Sequence, residues 1–131
     1  MIVLDSSAVV AVLYGEPDGD LYWTAIAGAD GLAISTLTAF ETRTVLGGGR
    51  VTPLVTAFDT LLANMRVETH AFDALMADAA FAAYSRYGKG VHPKARLNLC
   101  DCAAYALAKF LDAPLLFKGA DFRHTDVTPA L

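Results

Sequence analysis

The sequence has only two cysteines, Cys100 and Cys102, in 131 residues. That excludes a disulfide scaffold and points to a reducing compartment, the cytoplasm. No stretch approaches the ~18 uncharged apolar residues that a spanning helix needs, so no membrane association is expected. No basic segment precedes an apolar run at the N-terminus, where Asp5 ends Ile2-Val3-Leu4 at once, so no secretory signal is expected. Charge is sparse, at 18% of residues, and tilted to acid: 14 acids against 10 bases, for a net charge of −4. Taken alone, that tilt argues against a nucleic-acid partner. Internal repeats, low-complexity tracts and linkers are missing. A phosphate-binding loop is missing too, because Gly47-Gly48-Gly49-Arg50 lacks the Gly-Lys-Ser/Thr ending.

What is present is apolar: 55% hydrophobic residues and a mean hydropathy of +0.42. Disorder is thereby excluded. A chain of this length makes one domain, 1–131, that buries roughly two-thirds of its unfolded surface.

Short apolar runs alternate with helical patterns. Ile2-Val3-Leu4 reads as a buried strand, with Asp5 or Ser6 capping a helix through Leu13. Gly15-Glu16-Pro17-Asp18 breaks it, and a second helix runs to about Ala27. Leu32-Ala33-Ile34 is a second strand. Thr38 and Glu41 have capping-box spacing for a helix ending at Gly47. Thr52-Pro53 opens another helix. Arg66-Val67-Glu68 reads as a third strand, and Phe72 to Tyr87 as a long helix stopped by Gly88. Asn98 opens a helix ending near Asp112, Leu115-Leu116-Phe117 is a fourth strand, and Thr125-Asp126-Val127 a fifth. Such alternation predicts a three-layer α/β/α domain with a short, mostly parallel sheet of four to five strands.

Ligands of these sheets sit at the carboxyl ends of the strands. Asp5 follows the first strand directly, and Asp121 follows the fourth after a Gly119 turn. Glu41 lies about one turn into the helix after the second strand, and Asp101 in the first turn of the helix opened by Asn98. Each has a local reading as well: a cap for Asp5, a capping-box acid for Glu41, a helix-terminus acid for Asp101, a turn residue for Asp121. Together they fall at one sheet edge. Clustered carboxylates resist ionisation unless a cation joins them. Oxygen ligands select Mg²⁺ or Mn²⁺, ions that activate water and stabilise phosphodiester transition states.

The residues around these acids resemble a known family. The segments are Ile2 to Ala8, Thr38-Ala39-Phe40-Glu41, Leu97 to Ala108 around Asn98, Asp101, Cys102 and Tyr105, and Phe117 to Phe122 followed by Thr125-Asp126-Val127. In this order they resemble the PIN-domain ribonucleases, most closely the VapC toxins of bacterial type II toxin–antitoxin pairs. The resemblance implies a Mg²⁺- or Mn²⁺-dependent endoribonuclease that cleaves structured RNA, a tRNA or an rRNA, and so inhibits translation. It implies that Asp5, Glu41, Asp101 and Asp121 hold the metal and the attacking water, with Asp126 as a further acid near the site. Ser6 matches a small hydroxyl residue beside the first acid, in contact with substrate or metal-bound water. Cys100 and Ala120 depart from the family pattern, where Gly and Asn are common. The implied partners are a VapB-type antitoxin whose C-terminal segment covers the site, and a second copy of the chain, giving a homodimer and, with antitoxin, a heterotetramer or larger.

Arg86, Lys89, Lys94 and Arg96 lie in an acid-free stretch that leads to Asp101, so Lys94 and Arg96 are the candidate RNA contacts, with a solvated loop as the other reading. Cys100 and Cys102 read as core residues. Two alternatives remain. A phosphotransfer receiver shares the Mg²⁺ and a lysine after a strand, here Lys118, but Asp5 stands without a second acid. An inactive PIN-like binding module conflicts with the full acid set.

Overall fold

The structure is a computed structural model that describes residues 1–131. Its element order is β1 (Ile2–Leu4), α1 (Ser6–Leu13), α2 (Gly19–Ala27), β2 (Leu32–Ser35), α3 (Thr36–Gly47), α4 (Pro53–Asn64), β3 (Glu68–His70), α5 (Ala74–Tyr87), α6 (Leu99–Phe110) and β4 (Leu115–Leu116), then a 3₁₀ turn at Asp121–His124. The four strands form one sheet in the order β3-β2-β1-β4, and every pairing is parallel.

Parallel strands must be covered on both faces, and the side chains show it. Val3, Ala33 and Leu115 join the core cluster shared with α5 and α6. Their strand neighbours Leu4, Ile34 and Leu116 join the second cluster, built with residues of α1, α2, α3 and α4. Alternation along each strand thus feeds two cores, which makes the three-layer α/β/α architecture expected from the sequence. It also explains why the strands read as unbroken apolar runs. Truncating a residue such as Leu4, fully buried, costs about 2–5 kcal/mol.

The chain winds outward from β1 through β2 to β3, then returns to place β4 on the other side of β1. The carboxyl ends of β1 and β4 therefore flank the point where the winding reverses, which is where open parallel sheets form their ligand crevice.

Three local expectations are corrected. The third strand lies at Glu68–His70, because Arg66 takes a left-handed φ of +50° and Val67 still donates to the Leu62 carbonyl in the exit of α4. No fifth strand forms at Thr125–Val127. There Thr125 Oγ1 donates to the Phe122 carbonyl and accepts from the Val127 N–H, local bonds that compete with a ladder. A single parallel bridge, Leu115 to Pro129, takes its place. Finally, Thr38 opens no helix: Ser35 caps α3 by accepting from the Leu37 N–H, and Thr38 is buried one turn inside.

Candidate active site

Asp5 is the N-cap of α1 at the end of an interior strand, and it is 2% exposed. The Ser7 N–H and the Ser7 hydroxyl both donate to its Oδ2, at 3.0 and 2.5 Å. Its Oδ1 is buried and has no partner. Burial pushes the Asp5 carboxyl up to about 6, against the Ser7 hydrogen bonds and with a smaller push from Glu41. The Ser7 hydroxyl also accepts from the Lys118 N–H at 2.9 Å. It thus ties the exit of β1 to the exit of β4, the segment that leads to Asp121.

Glu41 projects from α3, half-buried, with Oε1 enclosed and unpartnered. Since Ser35 does the capping, this carboxylate is not part of a helix cap, and the Cys100 thiol is the side chain beside it. Two enclosed carboxylate oxygens without donors are costly, and buried polar groups are normally satisfied. Such oxygens fit a cation.

Asp101 sits in the first turn of α6 in a reciprocal capping box. The Asn98 N–H donates to its Oδ2 at 2.9 Å, and its own N–H donates to Asn98 Oδ1 at 2.8 Å. The cap holds one oxygen and fixes the side chain. Burial raises its carboxyl to about 7, with further upward pushes from the charges of Asp5, Glu41 and Asp121. Asp121 is exposed, at the start of the 3₁₀ turn. Asp101 feels the charges of the other three sequence candidates, and Asp5 feels that of Glu41. No three His, Cys, Asp or Glu side chains stand close enough together to hold a metal ion between them as they are placed here. Burial is the main cause of both raised carboxyls, and the charges of neighbouring acids add to it.

Asp126 does not join this group. Tyr105 donates to it in a short hydrogen bond, Lys109 Nζ stands 3.4 Å away and Arg86 3.9 Å away. These partners hold its carboxyl below the usual range, the Tyr105 bond foremost. It serves as a clamp between the C-terminal segment, α5 and α6. Ser6 is the first residue of α1, and the contact with Asp5 carried by a side chain comes from Ser7 instead. Lys94 and Arg96 are exposed on the loop before α6. His92 Nδ1 accepts from the N–H groups of Lys94 and Ala95, so this loop has a defined shape.

Sequence reasoning missed two features. Ser7 was passed over for Ser6, although an Asp-x-Ser order at a helix start is the signal of a hydroxyl that folds back on its cap. Cys100 was read as core, yet it is only half-buried: burial, then the Glu41 carboxylate, push its thiol up to about 11. Cys102 is core as expected, 1% exposed. Lys118 is not free, because its ammonium pairs with Glu16 and, at 2.9 Å, with Asp18. The receiver reading loses its lysine there.

Comparison with known proteins agrees with this arrangement. The PIN-domain family matches residues 2–127. The chain belongs to the PIN-domain family, in its VapC branch. It is 46% identical over 126 residues to Ribonuclease VapC of Mycolicibacterium smegmatis, covering 96% of this chain and 97% of that one. Against Ribonuclease VapC30 of Mycobacterium tuberculosis the identity is 43% over 126 residues, covering 96% and 95%. The fold is shared with VapC20 of Mycobacterium tuberculosis, described as a sarcin–ricin-loop-cleaving toxin, at a TM-score of 0.79 with 14% identity, covering 98% of this chain and 97% of that one. It is also shared with a chain of a toxin–antitoxin complex from Klebsiella pneumoniae, at a TM-score of 0.72 with 16% identity, covering 96% and 93%. In this VapC chain Asp5 and Asp121 follow strands β1 and β4, Glu41 lies in the helix after β2, and Asp101 lies at the start of α6, which follows α5 and a loop.

Proposed function

We propose that this chain is a Mg²⁺- or Mn²⁺-dependent endoribonuclease, the toxin of a VapBC-type pair, with Asp5, Glu41, Asp101 and Asp121 as its metal-holding acids. The observation that carries this reading is the pair of enclosed, unpartnered oxygens, Asp5 Oδ1 and Glu41 Oε1, beside a carboxyl that three neighbouring acids perturb. A divalent cation held there supplies Lewis acidity and neutralises charge at a phosphodiester. The protein's own part is positioning. Ser7 fixes Asp5, the Asn98 cap fixes Asp101, and the Lys118 N–H links the β4 exit to Ser7. Lys94 and Arg96 are assigned to the RNA phosphates, and Ser6 stays a candidate for substrate contact.

The relatives are named as ribonucleases and as parts of toxin–antitoxin complexes, which supports a VapB-type antitoxin as partner. An apolar groove of about 480 Å³, lined by Leu37, Phe72, Phe81, Tyr84 and Leu99, gives such a segment a footing next to α6. The substrate is a structured tRNA or rRNA, whose cleavage stops translation.

Incubating antitoxin-free protein with total RNA and Mg²⁺ or Mn²⁺ tests the reading. Discrete cleavage that EDTA, Asp5→Asn or Asp101→Asn abolishes is the expected result. Cleavage that survives both substitutions overturns it. Acetyl-phosphate labelling without cleavage supports the receiver alternative instead.

A further inference from the structure

Lys118 is joined to the rest of the chain at both ends, and the site above uses only one of them. Its backbone N–H donates to the Ser7 hydroxyl at 2.9 Å, beside the support of Asp5 at the start of α1. Its ammonium donates to Glu16 and, at 2.9 Å, to Asp18, in the turn that follows α1. The two carboxylates, Asp18 foremost, push the ammonium above its ordinary value, and Lys118 in turn holds Asp18 below the usual carboxylate range. One residue thus ties the exit of β4 to both ends of α1.

The turn that receives the ammonium is itself well fixed. Gly15 takes a left-handed φ of +64°, and the Glu16 N–H donates to the Ala11 carbonyl at 3.0 Å. The Gly19 N–H donates to the Glu16 carbonyl at 2.8 Å, and Pro17 locks its own φ between the two acids. The chain that follows Lys118 has far fewer bonds. Gly119 takes a φ of +107° and makes no backbone hydrogen bond. Ala120 takes part only through its carbonyl, which accepts from the Arg123 N–H at 3.1 Å. Asp121 is exposed at the end of this short span. Beyond it, the buried Phe122 ring packs against Phe117, 5.1 Å between centroids. The turn that carries Asp121 is therefore attached on its far side by the packing of Phe122 and on its near side by the directed bonds of Lys118.

We infer that Lys118, gripped by Glu16 and Asp18, is a positioning residue for Asp121: it pins the β4 exit to the α1–α2 turn and so keeps the Asp121 carboxylate in place for the cation. The inference rests on the reading of Asp121 as a metal-holding acid. It adds to the site a turn that carries none of the four acids. Charge and position make opposite demands on this lysine. A lysine that acted only through its charge would repel a nearby cation, and its removal would tighten cation binding. A lysine that holds the turn weakens cation binding when it is removed. Its pairs with Glu16 and Asp18 are about one-third exposed, and such pairs add little to global stability. Loss of cation affinity and loss of fold are thus separable.

The test is Mn²⁺ titration of the full chain without RNA, followed by electron paramagnetic resonance, with metal-free thermal melts alongside. Lys118→Met is expected to weaken Mn²⁺ binding about tenfold while the melting temperature moves little. Lys118→Arg is expected to bind Mn²⁺ nearly as the wild type does, because a guanidinium keeps the charge and can bridge two carboxylates. The double variant Glu16→Gln/Asp18→Asn is expected to lose about as much affinity as Lys118→Met, and adding Lys118→Met to it to cost nothing further, since each cuts the same strut. Unchanged or tighter Mn²⁺ binding in Lys118→Met overturns the inference. So does a loss that Lys118→Arg shares, a further loss in the triple variant, or a loss matched by a large fall in melting temperature. A wild-type chain that binds Mn²⁺ no better than Lys118→Met does leaves the metal reading standing and removes this inference alone. A wild-type chain that binds no Mn²⁺ overturns both.

Discussion

Asp5 shows at the scale of one residue how function is set against stability. Its folded carboxyl titrates near 6, above the ordinary 3.8, chiefly through burial. Between these values the folded chain binds more protons than the unfolded one, so stability falls as pH rises through that window and stays lost above it. Asp101, raised to about 7, extends the window upward. The metal-free protein is therefore expected to melt lower at about pH 8 than at about pH 5, and Asp5→Asn to flatten the difference. At the higher pH the variant should melt about 5 °C above the wild type without metal. Added Mn²⁺ should then raise the wild-type melting temperature and raise that of the variant much less at the same concentration. Thermal melts at both pH values, with and without Mn²⁺, check all three points. Ser7 yields a separate prediction. Ser7→Ala removes the hydroxyl that joins Asp5 to the Lys118 N–H, and it should lower kcat or Mn²⁺ affinity by roughly tenfold, with Ser7→Thr restoring most of it. Steady-state cleavage and Mn²⁺ titration of the two variants decide this.

At the scale of the element, helix caps carry the site. Asp5 caps α1, Asn98 and Asp101 cap α6 reciprocally, and Ser35 caps α3, which leaves Glu41 free. Thr52 caps α4, whose sequence neighbours hold none of the four acids. Asn98→Ala and Thr52→Ala should each cost about 1 kcal/mol of stability. Only Asn98→Ala should also reduce cleavage, because it alone releases an acid. Denaturant melts paired with cleavage rates test the contrast. Caps of this kind are visible in sequence: Asp5, Asn98 and Thr52-Pro53 all cap or open helices where their residue types say they do. The start of α3 was not, because Thr38 and Glu41 have capping-box spacing by coincidence and Ser35 caps three residues earlier. The third strand was displaced by two residues because its start depends on a left-handed Arg66, a conformation that residue type does not announce. Local hydroxyl bonds at Thr125 likewise outcompeted the fifth strand. The strand-end acids were legible because a sheet edge is implied by alternation alone. The partners of Asp126 were not, because they come from α5 and α6, far away in the chain.

At the scale of the whole molecule, the net charge of −4 is an average over unlike surfaces. Asp5, Glu41 and Asp101 press their charges on one another, while the groove lined by Phe40, Arg43 and Arg50 and the depression bounded by Lys89, His92 and Arg96 have no acid in their linings. Both acid-free surfaces lie between Asp5 and Asp121 in the chain, one around Glu41 and one just before Asp101. No helix is long and apolar enough to cross a membrane. The apolar groove around Phe81, which is 72% exposed, is lined by eight hydrophobic residues and no charged one. Phe81→Glu should therefore weaken capture by the antitoxin while leaving Mn²⁺ binding and RNA cleavage intact, as a pull-down alongside a cleavage assay will show. The proposed function places Asp5, Glu41, Asp101 and Asp121, from distant parts of the chain, in one cation site, with Asp126 outside it. Mn²⁺ titration followed by electron paramagnetic resonance tests it most directly, on the wild type and on Asp5→Asn, Glu41→Gln, Asp101→Asn, Asp121→Asn and Asp126→Asn. Each of the first four is expected to weaken Mn²⁺ binding by about tenfold or more, and Asp126→Asn to bind as the wild type does. Wild-type binding in the first four, or a loss confined to Asp126→Asn, would contradict it.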